Sequence, residues 1–195
     1  MRSDTAAAIL AGGAGARIGG RKAFVKLAER TLVERVADAL RPSVRMLAVV
    51  GEEDAARLVG GVALIDRAEQ RAGPLYGVLA ALDWGRDVGV DWVVIAPCDA
   101  PFLPTDVLKT LREAAEVSGV AYAETQGGPH PLVSIWRSSM AGWLRDQMDD
   151  GHPPVRDVLA SANAARVMFE DEEAFMNINT SDDLKRAEAI LATRR

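Results

Sequence analysis

Cations set among glycines, and single aspartates that end apolar runs, are the residues of this sequence typed and spaced for chemistry on a phosphate. Residues 6–26, AAAILAGGAGARIGGRKAFVK, combine Gly12, Gly13, Gly15, Gly19 and Gly20 with Arg17, Arg21 and Lys22. Glycines let backbone N–H groups close on ligand oxygens and form an anion nest. Arginine grips two oxygens as a planar fork, while lysine acts as a movable point charge. Two familiar phosphate loops do not fit. A Walker A loop needs G-x-x-x-x-G-K-[ST], and Lys22 has Arg21 before it and Ala23 after it. A dinucleotide fingerprint begun at Gly13 meets Ile18 where its third small residue belongs. The plainer reading is a surface turn with solvated cations. Asp66 follows the apolar run 62–65, and Asp99 lies in PCDAP after WVVIA. Each carboxylate either serves a ligand crevice or caps a turn. For Asp99 the ligand-side job is Mg2+ ligation between polyphosphate oxygens.

These residues need a sheet whose strands empty at one edge. Ala6 to Leu10 reads as a buried parallel strand ending at Gly12 and Gly13. Thr31 to Arg41 spaces Leu32, Val33, Val36, Ala37 and Leu40 as an amphipathic helix closed by Pro42. Arg45 to Val50 is a second strand, EEDAARLV a helix stopped by Gly60 and Gly61, and Val62 to Ile65 a third strand. Pro74 opens a helix in GPLYGVLAALDWG, whose Gly73 and Leu75 either offer backbone contacts to a base or ribose or simply start the helix. Val90 to Ala96 is a central strand, followed by a helix with Thr105 as a candidate cap. Later come a strand at Leu132 to Trp136, a helix over Ser138 to Met148, a short helix within 151–159, a strand at Ala164 to Phe169 and a terminal helix. Thr180 should cap that last helix, with Asp183 closing a capping box. The alternation predicts a three-layer α/β fold with a doubly wound, mostly parallel, Rossmann-like sheet and one antiparallel strand late in the chain. One domain over 1–195 is expected, its nucleotide-binding half at about 5–105 and its acceptor-binding half at about 106–195.

LAGG at 10–13 with Gly15, Arg17, Gly19 and Lys22 resembles the signature loop of nucleotidyltransferases that join a nucleoside triphosphate to a phosphate acceptor. Within them, the pattern L-A-G-G-x-[small]-x-R-[M/I]-G-x-x-K is most similar to the molybdenum cofactor guanylyltransferases. PCDxP around Asp99, GG-PHPL around His130 and N-x-N-T-x-x-D-L at 177–184 resemble later segments of that family, so the likeness spans nearly the whole chain. The chain departs from the pattern with Gly15 for a usual serine, Ile18 for methionine, and Gly51 and Glu52 where an asparagine normally follows the second strand. The resemblance implies nucleotide contacts from Leu10, Ala11, Gly12, Gly13, Gly15, Arg17, Lys22, Asp66 and Asp99, beside backbone contacts from Gly73 and Leu75 as the alternative to simple helix initiation. It makes Arg17, Lys22 and Asp99 catalytic and places Mg2+ on Asp99. On the acceptor side, His130 either contacts the pterin phosphate or caps a stiff turn. Arg156 is either an anion contact or a solvated, salt-bridged arginine. Asn177 and Asn179 either serve the acceptor and a metal-site water or close their own loop.

The reaction implied is transfer of GMP from GTP to the phosphate of molybdenum-molybdopterin, with pyrophosphate released. The alternatives are a CTP-dependent cytidylyltransferase acting on molybdopterin or another phosphate acceptor, and a noncatalytic nucleotide-binding regulator. Partners that deliver the cofactor or mature molybdoenzymes fit the same resemblance. A net charge of −5 argues against general nucleic-acid binding, and 49% hydrophobic with 26% charged residues is ordinary for a folded domain. The single cysteine, Cys98, forms no intrachain disulfide and reads as a small buried residue. His130 and His152 make no zinc signature. With neither a secretion signal nor a membrane span expected, cytoplasm is the predicted location.

Overall fold

A computed structural model describes residues 4–12, 20–65, 73–148 and 151–194. Strand β1 (Thr5–Leu10) is an interior strand, an alanine-rich run with almost no exposed surface. Side chains alternate across a strand, so Ala7 and Ile9 enter one core while Ala6 and Ala8 enter the other. Small residues on the second face let a helix lie close to the sheet.

The other strands of the main sheet are β4 (Met46–Val50), β5 (Val62–Leu64), β6 (Trp92–Pro97), β7 (Val120–Thr125), β8 (Gly128–Arg137) and β9 (Ala165–Met168). Their order is β5-β4-β1-β6-β8-β7-β9. All pairings are parallel except those of β8, which runs against both β6 and β7. This is the expected single antiparallel strand, inserted between neighbours that both point the other way. A small hairpin, β2 (Lys26–Leu27) with β3 (Arg30–Thr31), stands apart from the sheet.

Helices α1 (Leu32–Leu40), α2 (Glu53–Leu58) and α4 (Val107–Ala114) cover one face, burying Val33, Ala55 and Leu111 against Ile9, Val49 and Val94. The other face carries α3 (Pro74–Asp87), α5 (Ala141–Asp146) and α6 (Val155–Ser161), with Leu75, Leu82, Leu144 and Leu159 over Ala8, Val50 and Ile95. The last helix, α7 (Ser181–Thr193), joins a third cluster in which Ala187 and Ile190 meet Leu27, Leu32, Phe102 and Ile178. It therefore docks at the end of the sheet, beside the hairpin.

Thr31 and Thr180 each close a full capping box, with Glu34 and Asp183 returning the bond three residues on. Thr105, by contrast, does not cap α4. The N-cap is Asp106, whose side chain makes no cap bond, because a turn over 105–106 precedes the first helical residue. The expected helix over Ser138 to Met148 is divided into a 3-10 turn, Ser138–Met140, and α5, Ala141–Asp146.

Candidate nucleotide and metal site

Parallel strands carry the site by emptying side by side. Ala11 N–H donates to the Val50 carbonyl at 3.0 Å, Cys98 N–H to Leu10 O at 3.0 Å, and Gly51 N–H to Leu64 O at 3.0 Å. The exits of β1, β4, β5 and β6 are thus stitched into one rim. Gly51 has φ +85, and a Cβ there would stand 3.1 Å from Gly12 Cα. The close approach of two backbones together with the positive φ favours glycine there. Leu10, Ala11 and Gly12 occupy the rim at the end of β1. Gly13, Gly15, Arg17 and Asp66 lie outside the described residues.

Lys22, Asp99 and Asn179 are brought together from 77 and 157 positions apart in sequence. Lys22 begins a 3-10 turn, Lys22–Phe24, that is fixed by burial of Ala23. Its Nζ is ion-paired with Asp99 Oδ2 and donates to Asn179 Oδ1 at 2.6 Å. Asp99 is 8% exposed, and its backbone carbonyl accepts from Ile178 N–H at 2.9 Å, which holds the C-terminal segment against the β6 exit. Asn179 N–H in turn donates to Asp183 Oδ2 at 2.9 Å, so the capping box of α7 fixes the amide. That bond and those from Thr180 hold the Asp183 carboxyl below the ordinary carboxylate range.

Asp99 offers more than an ion pair. Its Oδ1 is buried and has no hydrogen-bond partner among the described residues. A buried carboxylate oxygen left in that condition is costly unless something polar meets it. No group of three or more His, Cys, Asp or Glu side chains suited to a metal occurs among the described residues. One carboxylate suits Mg2+, which takes few protein ligands and completes its shell with water and phosphate oxygens.

The other sequence candidates separate. Gly73 caps the start of α3 and Pro74 takes its first turn, so the helix begins at the same rim, but the Leu75 side chain is buried in the core and only its backbone is available. His130 lies in β8, not in a turn. Its Nε2 is 3.0 Å from Thr125 Oγ1, its ring stacks on Phe175 at 5.1 Å, and burial lowers its pKa. Asn177 is exposed. Arg156 is exposed on α6 and pairs with the adjacent Asp157 at 3.3 Å, which is the salt-bridged alternative. Arg21 does not join Lys22 but pairs with Glu52 and Asp54. Sequence reasoning missed those two acids as partners, although an EED run at a strand exit facing a cationic loop was the available signal. Cys98 is buried beside the site, and burial pushes its thiol up to about 12.

The sequence profile of the MobA-like NTP transferase domain matches residues 7–167. A protein of Cereibacter sphaeroides named molybdenum cofactor guanylyltransferase is 42% identical over 184 residues, covering 94% of this chain and 95% of that one. A protein of the same name from Rhodopseudomonas palustris is 36% identical over 200 residues, covering 95% and 93%. Among solved structures, the molybdopterin-guanine dinucleotide biosynthesis protein A of Archaeoglobus fulgidus superposes with a TM-score of 0.73 at 29% identity, covering 96% of this chain and 99% of that one. Among the described residues no helix is long and apolar enough to cross a membrane.

Proposed function

Because the chain belongs to the MobA-like NTP transferase family and is a nucleotidyltransferase of molybdenum cofactor biosynthesis, we propose that it transfers GMP from GTP to the phosphate of molybdenum-molybdopterin. An acceptor phosphate oxygen attacks the α-phosphorus of GTP. The bond from that phosphorus to the bridging oxygen breaks, and pyrophosphate leaves with the electron pair. The attacking group already carries charge, so the protein's work is alignment and charge compensation rather than nucleophilic catalysis.

The observation that carries this reading is the Lys22, Asp99 and Asn179 cluster, in which Asp99 Oδ1 has no partner among the described residues. Asp99 would hold Mg2+ through that oxygen, and the ion would supply Lewis-acid neutralisation of polyphosphate charge. Lys22, held at the rim by Asp99 and Asn179, would offer its charge to the polyphosphate. Leu10, Ala11 and Gly12 would offer backbone groups to the nucleotide, together with Gly13, Gly15, Arg17 and Asp66 from the family pattern. Gly73 and Leu75 would contribute only through their backbone at the start of α3. His130 and Asn177 are assigned to the acceptor half.

An acceptor-dependent turnover assay with GTP and CTP in parallel, read by product mass, tests the reading. The expected product is the guanine dinucleotide form, made only with Mg2+ and molybdopterin present. Preferential turnover of CTP would replace the guanylyl assignment with a cytidylyl one, and tight nucleotide binding without transfer would mark a regulator.

A further inference from the structure

Arg21 and Lys22 are consecutive, yet their side chains run to opposite sides of the β1 exit. Lys22 goes to Asp99, after β6. Arg21 goes to the β4 side. Its Nε donates to Glu52 Oε2 at 2.9 Å, and Nη2 reaches both Glu52 Oε1 and Asp54 Oδ2, the latter at 2.7 Å. Since β4 and β6 flank β1, the two residues strap across the mouth of β1. Glu52 sits at the N-cap of α2, and Asp54 lies in its first turn. Both acids are thus carried by a fixed element, and the Arg21 guanidinium also lies over the Phe24 ring at 4.4 Å.

An exposed ion pair usually contributes little. Here the arginine side chain is 52% exposed but its first partner, Glu52, only 20%, and one fork is shared by two acids. Planar, bidentate pairing of this kind fixes direction as well as charge. Arg21 also holds the Asp54 carboxyl below the ordinary range. Downstream, the segment is held by burial of Ala23 and by Val25 O, which accepts Leu32 N–H at 2.9 Å. Upstream of Ala23, Gly20 has no side chain, and among the described residues Arg21 anchors the approach of the backbone to Lys22.

We propose that Arg21 is a positioning residue, whose ion pairs with Glu52 and Asp54 hold residues 20–24 so that Lys22 is already placed when a nucleotide polyphosphate arrives. This rests on reading the rim as a nucleotide site. The competing use of Arg21 is to leave its acids and bind phosphate itself. The two uses predict opposite signs for one variant. If Arg21 positions Lys22, removing the acidic partners loosens the strap and weakens nucleotide binding. If Arg21 binds phosphate, removing them frees a cation and strengthens it.

Calorimetric titration of the full chain with GTP and with CTP, each with Mg2+ and without acceptor, separates them. Glu52→Gln/Asp54→Asn is expected to raise the GTP Kd about five- to tenfold, and Asp54→Asn alone less, in the same direction. Arg21→Lys should recover part of what Arg21→Met loses, because it keeps the charge without the fork. In turnover, the acid variants should raise KM while kcat stays within about twofold. Unchanged or tighter binding by Glu52→Gln/Asp54→Asn overturns the inference, and Asp54→Asn decides by the same sign if the double variant fails to fold. A wild-type chain that binds neither nucleotide overturns the site reading and this inference together. Wild-type binding with an unaffected double variant overturns the inference alone.

Discussion

At the scale of single residues, Asp99 holds an ion pair with one oxygen and leaves the other buried without a partner among the described residues. Asp99→Asn keeps the shape and removes the charge. An organised catalytic charge of this kind is worth about 3 to 4 kcal/mol of transition-state stabilisation, or hundreds-fold in rate. We expect Mg2+-dependent kcat to fall by that order with the melting temperature nearly kept, and near-normal turnover would remove Asp99 from the metal role. Cys98 gives a contrasting expectation. With its thiol pushed up to about 12 and its side chain buried, almost no thiolate exists near pH 8. A disulfide reagent such as DTNB should label it only in denaturant. Rapid labelling of the native chain would contradict the burial. Asp99 was legible in the sequence because a single acid between two prolines, just past the apolar run WVVIA, stands out. The partnership of Arg21 with Glu52 showed only as an EED run after the second strand, which does not say which cation, 31 positions away, it meets.

At the scale of elements, the start of α7 joins stability to the site. Thr180 and Asp183 cap the helix, and Asp183 also receives Asn179 N–H, whose side chain holds Lys22. Thr180→Ala should cost about 1 kcal/mol in denaturant unfolding and should also raise the nucleotide KM. A stability loss with unchanged KM would separate cap from site. The sign of the pH dependence follows from the lowered Asp183 pKa. Its contribution is complete above the ordinary carboxylate pKa near 4 and is lost as pH falls through the lower folded value. The melting-temperature gap between wild type and Asp183→Asn should therefore close in acid. On the opposite face, α3 approaches β6 through Gly85, where a Cβ would lie 2.4 Å from Val93 Cγ2. Gly85→Ala should destabilise by about 1 to 3 kcal/mol, and a neutral effect on unfolding would mean that Val93 repacks freely. The terminal capping box could be read from T-x-x-D before an apolar stripe. Strand β7 could not, because VAYAET is short, its alternation is weak, and its strand character comes from partners on both sides.

At the scale of the whole molecule, the parallel half of the sheet was foreseeable from the repeated change of a short apolar run into a helix. The order of the strands was not, because nothing in a strand's own sequence says which neighbour it will choose. That order carries a consequence for how the chain comes together in time. β5, β4, β1 and β6 pair among themselves using only residues before 98. β7 follows β6 in sequence but pairs only with β8 and β9, so it has no place in the sheet until residues 128–137 exist. During synthesis or refolding, β6 therefore presents an open edge, the kind of backbone that pairs with other chains. A two-residue turn at 126–127 makes β7 and β8 a local hairpin that can close this edge in one step. Pulsed amide exchange during refolding should find β7 and β8 gaining protection together, after β1 and β4. Early protection of β7 without β8 would contradict this order. A chain arrested before β8 holds the residues of the four-strand rim but leaves the β6 edge without its partner.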